Sequence, residues 1–324
     1  MPLVRPDRVA LAGSMSEFVE GLLAETPQVR DAARQAPLSA RFLAPAVPAL
    51  EALFRHLRAD VDPVLRRTFP AGAKPYPLGR CREITEAVQA RLAAVDPAEL
   101  PQAAAEGLAA ISAFQAAGGS VHAAWGDLRG RYFQNALIAG ALYVDVANDT
   151  VVMEKPPVEI LPFAEAGFRP ISGYGHFARI AASYWGLRLL PNHLLPGLAP
   201  YLPLIQIDPQ GAVRLGPSSR VLLGRTLAAG FRPSEAALAA APLPPGLFAG
   251  LRGALADGSD VVAASPQAGR AAALAACAAF RDEGLPGSAA AYNRAMAAAR
   301  RANRRLAGLR VVRAQRSPQA AAAG

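Results

Sequence analysis

The chain has 324 residues, 52% of them hydrophobic and 18% charged, with a formal net charge of +9. That length suffices for one large or two modest domains, and that balance excludes a largely disordered chain. Two cysteines, Cys81 and Cys277, lie almost two hundred residues apart and exclude a disulfide framework or a CxxC metal knuckle.

Alanine recurs along the whole chain, and it costs no side-chain entropy in a helix, so the composition leans helical. Residues 1–75 read as an N-terminal helical region. Ser14 to Leu23 and Leu50 to Leu57 carry apolar residues at helical spacing, and Pro63 and Pro70 interrupt the chain beyond Leu57. The run Lys74-Pro75-Tyr76-Pro77-Leu78-Gly79 is a rigid loop that delivers the chain to Cys81. From Cys81 to Leu92, Ile84, Val88 and Leu92 repeat every four residues and predict an amphipathic helix. A second helix, about Ala103 to Ala116, ends at Gly118-Gly119.

The character then changes. Val121 to Trp125, Arg131 to Ile138 and Ala141 to Val146 read as strands, the last two joined by a turn at Ala139-Gly140. Val151 to Met153 and Val158 to Leu161, separated by Pro156-Pro157, read as an edge strand or an extended arm. Helix resumes from His176 to Trp185. Pro191, Pro196, Pro200 and Pro203 then punctuate a loop or ligand-facing wall. Residues 216–324 form an Ala-rich helical region that frays over Ser317 to Gly324. The expected fold is therefore α+β, predominantly α-helical, with a small antiparallel β-sheet in the central region. The expected division is 1–75, an α+β core over 76–215 that holds the site, and 216–324.

The hairpin register predicts a polar pair. If Ile138 pairs with Ala141, then Gln134 lies opposite Asp145 on one face, while Phe133, Leu137, Leu142 and Val144 point to the other. Cys81 lies at a helix start, between Arg80 and Arg82, where the helix dipole and the two cations favour thiolate.

In their order and spacing these segments resemble the transglutaminase-like branch of the papain-like superfamily, to which arylamine N-acetyltransferases are also similar. The residues that carry the resemblance are Leu78-Gly79-Arg80-Cys81-Arg82-Glu83-Ile84, Ala117 to Val121 with Trp125-Gly126, and Tyr132 to Ala136 leading to Tyr143-Val144-Asp145-Val146. The resemblance covers about a quarter of the chain and implies a cysteine on a helix, a histidine on a following strand and an acid on the next. It would make Cys81 the nucleophile and Asp145 the orienting acid. The histidine position falls on Gln134, which takes no proton at neutral pH, and the loss of a general base removes roughly 10²–10⁴-fold in rate. His122 is the nearest replacement in sequence. Trp125, Asn135, His176 and Tyr184 are candidate substrate-binding residues.

The implied activity is thiol-dependent acyl transfer or amide hydrolysis on a small-molecule or peptide acyl substrate, with a catalytically degenerate site as one form of it. The alternative is a non-enzymatic helical binding or scaffold protein, with Cys81 a small buried hydrophobe and Gln134–Asp145 a satisfied polar pair. Cys277, within Ala-Ala-Cys-Ala-Ala, reads as core. The four histidines, His56, His122, His176 and His193, show no HxH or HxxxH spacing, and no GxGxxG or Walker loop is present, so no metal or cofactor is expected. Arg300 to Arg316 form a basic stretch without interleaved aromatics, so neither nucleic acid nor acidic membrane is expected as a partner. The start Met1-Pro2-Leu3-Val4-Arg5-Pro6-Asp7 has no apolar signal core, and no run of about 18 uncharged apolar residues reads as a membrane span, which points to the cytoplasm.

Overall fold

The computed structural model describes residues 13–69, 74–256 and 261–311. The fold is α+β and dominated by helix, as expected. Among the described residues no helix is long and apolar enough to cross a membrane. The chain forms two compact units. One spans Leu23–Ser172; the other spans Gly173 onward and takes in the segment before Leu23. This division differs from the expected one, which had three regions with boundaries at residues 75 and 215. The early helices and the central sheet bury one shared apolar core, and the chain after Gly173 packs with the C-terminal helices.

In the first unit, α2 (Ala32–Leu38) leads through a π-helical turn at Ser39–Leu43 to α3 (Val47–Thr68). Pro63 lies inside α3 instead of ending it. A mid-helix proline costs about 3 kcal/mol, and here burial of Leu50, Leu53, Phe54 and Leu57 together with the anchored Arg58 offsets that cost. Helices α4 (Cys81–Ala94) and α5 (Gln102–Ala116) come next, close to where periodicity puts them. Pro70 lies outside the described residues.

A five-stranded antiparallel sheet has the order β4-β3-β2-β1-β5. Its strands are β1 (Val121–Leu128), β2 (Tyr132–Ala139), β3 (Leu142–Asp145), β4 (Glu159–Pro162) and β5 (Phe168–Arg169). The β2–β3 register departs from expectation by two residues, because Ala139 pairs with Leu142 and the loop is Gly140-Ala141. Gly140 has φ 56°. A positive φ favours glycine at the first loop position of a tight hairpin, which leaves Ala139 in the ladder. The loop is held from below, where Ser39 Oγ accepts a hydrogen bond from Ala141 N at 2.8 Å. A shift of two preserves which face each side chain takes, so the facial sorting of β2 and β3 stands. Val151 to Met153 are not a strand. Asn148–Thr150 forms a 3-10 turn, and Thr150 Oγ1 donates to the Ala147 carbonyl, turning the chain before β4 takes the sheet edge.

Both faces of this sheet are covered. Leu137, Ala139, Leu142 and Val144 pack with Ile84, Val88, Phe54 and Phe114 of the helices. The alternate residues Ala124, Ala136, Ile138, Tyr143 and Phe168 form a second cluster beneath Val29, Leu161 and Phe163. Side chains on the second face therefore sit out of water as well.

The second unit holds α1 (Met15–Leu23), α6 (Tyr174–Trp185), α7 (Arg220–Ala228), α8 (Arg232–Leu238), α9 (Pro245–Leu255), α10 (Pro266–Asp282) and α11 (Ala289–Leu306). It also carries a three-stranded antiparallel sheet that was not expected, β6 (Arg188–Pro191), β7 (Leu204–Ile207) and β8 (Val213–Leu215), and the expected Pro-punctuated loop joins β6 to β7. Asn303 of α11 closes the β8 edge: its Oδ1 accepts from Leu215 N, and its Nδ2 donates to Leu215 O, each at 2.7 Å. The terminal stretch expected to fray, with Arg313 and Arg316, lies outside the described residues.

Close approach of α3 and α5 depends on Gly107, where a Cβ would overlap the Ala49 carbonyl oxygen and crowd Leu53 Cβ at 3.0 Å. Gly107→Ala gains about 1 kcal/mol of helix propensity but forces two packed backbones apart, at about 1–3 kcal/mol. The expected outcome is a lower urea midpoint for the first unit. An unchanged or raised midpoint would mean that α3 and α5 separate without cost.

Candidate functional site

Cys81 is the first residue of α4, as its sequence context predicts. The loop before it is pinned by Gly79 N donating to Thr150 O at 3.0 Å. The thiol is 2% exposed. Its hydrogen-bond partner is Asn135, whose Nδ2 donates to Cys81 Sγ at 3.3 Å, while Thr85 Oγ1 donates to the Asn135 backbone carbonyl at 3.0 Å. Asn135, expected to bind substrate, is thus in the position of the thiol's partner. That position was expected at Gln134, one residue earlier and on the other face of β2.

Burial pushes the Cys81 thiol up, and the Asn135 hydrogen bonds do not reverse this. The thiolate expected from the helix dipole is therefore not favoured. A dipole contribution of about 0.3–1 kcal/mol is smaller than the cost of a buried anion. Nor are the flanking arginines free to compensate. Arg80 pairs with Glu83 at 3.3 Å and stacks on Phe69, and Arg82 pairs with Glu86 at 2.7 Å. Cys277 is buried on α10, as expected, and its thiol is pushed up to about 12.

Gln134 and Asp145 do meet. Gln134 Nε2 donates to Asp145 Oδ2 at 2.7 Å and to the Ala147 carbonyl at 3.0 Å. With the register shifted by two they are diagonal neighbours, not directly opposed, and the long glutamine side chain spans the gap. Tyr143 Oη also donates to Asp145 Oδ2, and Ala147 N donates to Oδ1, both at 2.8 Å. Both residues are fully buried. Burial raises the Asp145 carboxyl to about 6 despite these donors. Gln134 Oε1 accepts no hydrogen bond. By strand alternation this cluster shares a face with Ile138 and Tyr143, whereas Cys81 packs with Leu137 and Val144. The carboxylate orients the glutamine and not the thiol's partner.

His122 pairs in the ladder with Ile138 and so also points to the face opposite Cys81. It is buried, and neither ring nitrogen makes a hydrogen bond of good geometry. Desolvation, with Arg30 nearby, holds its pKa down to about 4, although the Gln28 backbone favours the imidazolium in some measure. Trp125 pairs with Asn135 across the strands and stacks on Phe133 with ring centroids 5.1 Å apart, so it walls the Cys81 side. His176 and Tyr184 are on α6, in the second unit. The buried face of α6 is Tyr174, Phe177, Ile180 and Ala181, leaving His176 and Tyr184 beside it. Missed in the sequence was Arg58, whose buried guanidinium bonds Asp62, Asp149 and the Val146 carbonyl. Its only signal was a charge on the apolar stripe of α3. Among the described residues no group of three or more His, Cys, Asp or Glu side chains is placed to hold a metal ion.

The chain matches no protein-family model, no curated protein and no solved structure.

Asp145 and His122 pull the pH dependence of the first unit in opposite directions. The raised carboxyl contributes stability that is full below about pH 4 and is lost as pH rises to about 6. The depressed imidazole contributes stability that is full above about pH 6.5 and is lost as pH falls to about 4. Each displacement corresponds to about 3 kcal/mol, so the native chain should change little across this window. With Asp145→Asn, urea stability should rise from pH 4 to 6.5; with His122→Gln, it should fall. Slopes of the same sign in both variants would refute the assignment.

Proposed function

We propose that the chain is a non-catalytic cytoplasmic protein that acts by binding, on a scaffold whose helix–strand order is transglutaminase-like but whose thiol does not turn over. The observation that carries this reading is the contact of Cys81 with Asn135. An amide donates to sulfur but takes no proton from it, and burial opposes thiolate at neutral pH. The other members of a triad offer no substitute. Gln134 and Asp145 bond each other on the opposite face, and His122 lies on that face too. The ligand expected of such a protein is a small molecule or a peptide.

A thiol-dependent acyltransferase or amide hydrolase is the second reading, favoured by the place of Cys81 in the first turn of α4. It requires the thiol to be reached and ionised. Timed iodoacetamide labelling at pH 7, read by mass spectrometry, separates the two. On the binding reading, Cys81 in the folded chain reacts about 100-fold or more slowly than in urea, because buried thiols are inert. Labelling of folded Cys81 faster than the unfolded thiol would restore the acyl-transfer reading.

A further inference from the structure

The two units differ in charge. Residues 23–172 hold 15 Lys or Arg and 16 Asp or Glu, whereas residues 2–22 and 173–324 hold 19 and 9. The first unit is therefore near neutral, and the second accounts for the whole positive balance of the chain, with Asp257 and Asp260 included in its count. Arginines of the first unit are met by acids: Arg55 pairs with Glu51, Arg82 with Glu86, and Arg91 with Asp60 and Glu99. Helix α11 differs. It carries five arginines and no acidic residue, and after Glu283 the chain has no Asp or Glu at all. Ala295, Met296, Ala299, Ala302 and Leu306 bury one face of the helix. Arg300, Arg304 and Arg305 are exposed away from that face and are in no ion pair among the described residues. The three fall within about 8 Å along the helix axis.

We propose that this arginine face of α11 binds the phosphate backbone of duplex nucleic acid without reading its sequence. Over the whole chain the excess charge looks dispersed; by unit it is concentrated, and α11 presents it on one surface. Clustered cations release the counterions condensed on a duplex, and this release supplies affinity that is independent of sequence. The guanidinium fork matches phosphate oxygens. The other residues on the face are small or neutral, Ala290, Asn293, Ala297 and Ala307. Without an aromatic side chain the face lacks the stacking platform used to hold single strands. Without a large apolar side chain it lacks what an amphipathic helix sinks into a membrane. A duplex backbone asks for neither. The surface belongs to the second unit and is independent of the state of Cys81.

The test uses the full chain and fluorescein-labelled DNA duplexes of about 20 base pairs in two unrelated sequences, followed by anisotropy at several salt concentrations. The two duplexes should bind alike. Three phosphate contacts correspond to a slope of log K on log salt of about −2.7, or about a 40-fold loss between 50 and 200 mM, so at least that loss is expected. The combined change Arg300→Gln, Arg304→Gln and Arg305→Gln should remove most of the binding and of the slope without lowering the thermal midpoint. Arg304→Gln alone should reduce the slope by about one. A control with the same loss of charge in the first unit, Arg41→Gln, Arg55→Gln and Arg67→Gln, should leave affinity within about twofold. Equal weakening by both triple variants would reduce the effect to net charge and overturn the proposal. So would a tenfold preference for one duplex, tighter binding to the single strand, binding to phosphatidic acid vesicles but not to a duplex, or no binding.

Discussion

The guanidinium of Arg58 is buried, yet every direction it faces is answered. It donates to Asp62 one turn further along α3, to both carboxylate oxygens of Asp149 at 2.9 and 3.1 Å, and to the Val146 carbonyl at 2.8 Å. Tyr76 Oη donates to the same Asp62 at 2.6 Å. One cation thus ties α3 to the turn after β3 and, through Asp62, to the loop that leads into α4. Planar, multidentate pairing suits arginine, and removing one member would strand a charge in the interior, a loss of about 3–5 kcal/mol. Cys81 begins α4 where it does because that loop is tied here and at Gly79. Asp145 sits one residue before the carbonyl that Arg58 holds.

The same burial that makes this tie strong decides the chemistry around it. A helix start and two flanking arginines are short-range arguments, and they point to thiolate at Cys81. Desolvation is set by the whole packed unit, and it pushes Cys81 and Asp145 up and His122 down, in each case toward the uncharged form. Here both faces of the sheet are closed, and Cys81, Gln134, Asp145 and His122 all lie in the interior.

The sequence was most informative where local chemistry and periodicity agreed. A proline-bound loop followed by Ile84, Val88 and Leu92 at fourfold spacing marks the start of α4 to the residue. Alternation in β2 and β3 sorts Gln134 and Asp145 onto one face, and that sorting survives a register error of two because the side-chain period is two. The face of β2 that the helix would cover could not be read. This is a tertiary choice, and it is why Asn135 and not Gln134 meets the thiol. Pro63 was misread because a propensity of about 3 kcal/mol is visible locally, whereas the burial and the Arg58 tie that outweigh it lie elsewhere in the chain. The second sheet escaped because its strands are three or four residues long and include Pro191, and their edge is closed by Asn303, some ninety positions away.

Both units satisfy most of their buried polar side chains within the fold. In the first, the buried polar side chains are mostly hydrogen-bonded, largely to backbone groups, and the buried atoms without a partner are Glu83 Oε2, Gln134 Oε1 and the two nitrogens of His122. Such atoms cost stability and specify one arrangement of the core, but an enclosed acceptor has no route to a ligand. In the second, the small side chains of α11 are themselves core: Ala291, Ala295, Ala298, Ala299 and Ala302 are buried. Small side chains on a helix are cheap in propensity and expensive in lost burial, since each alanine forgoes the area a leucine would cover.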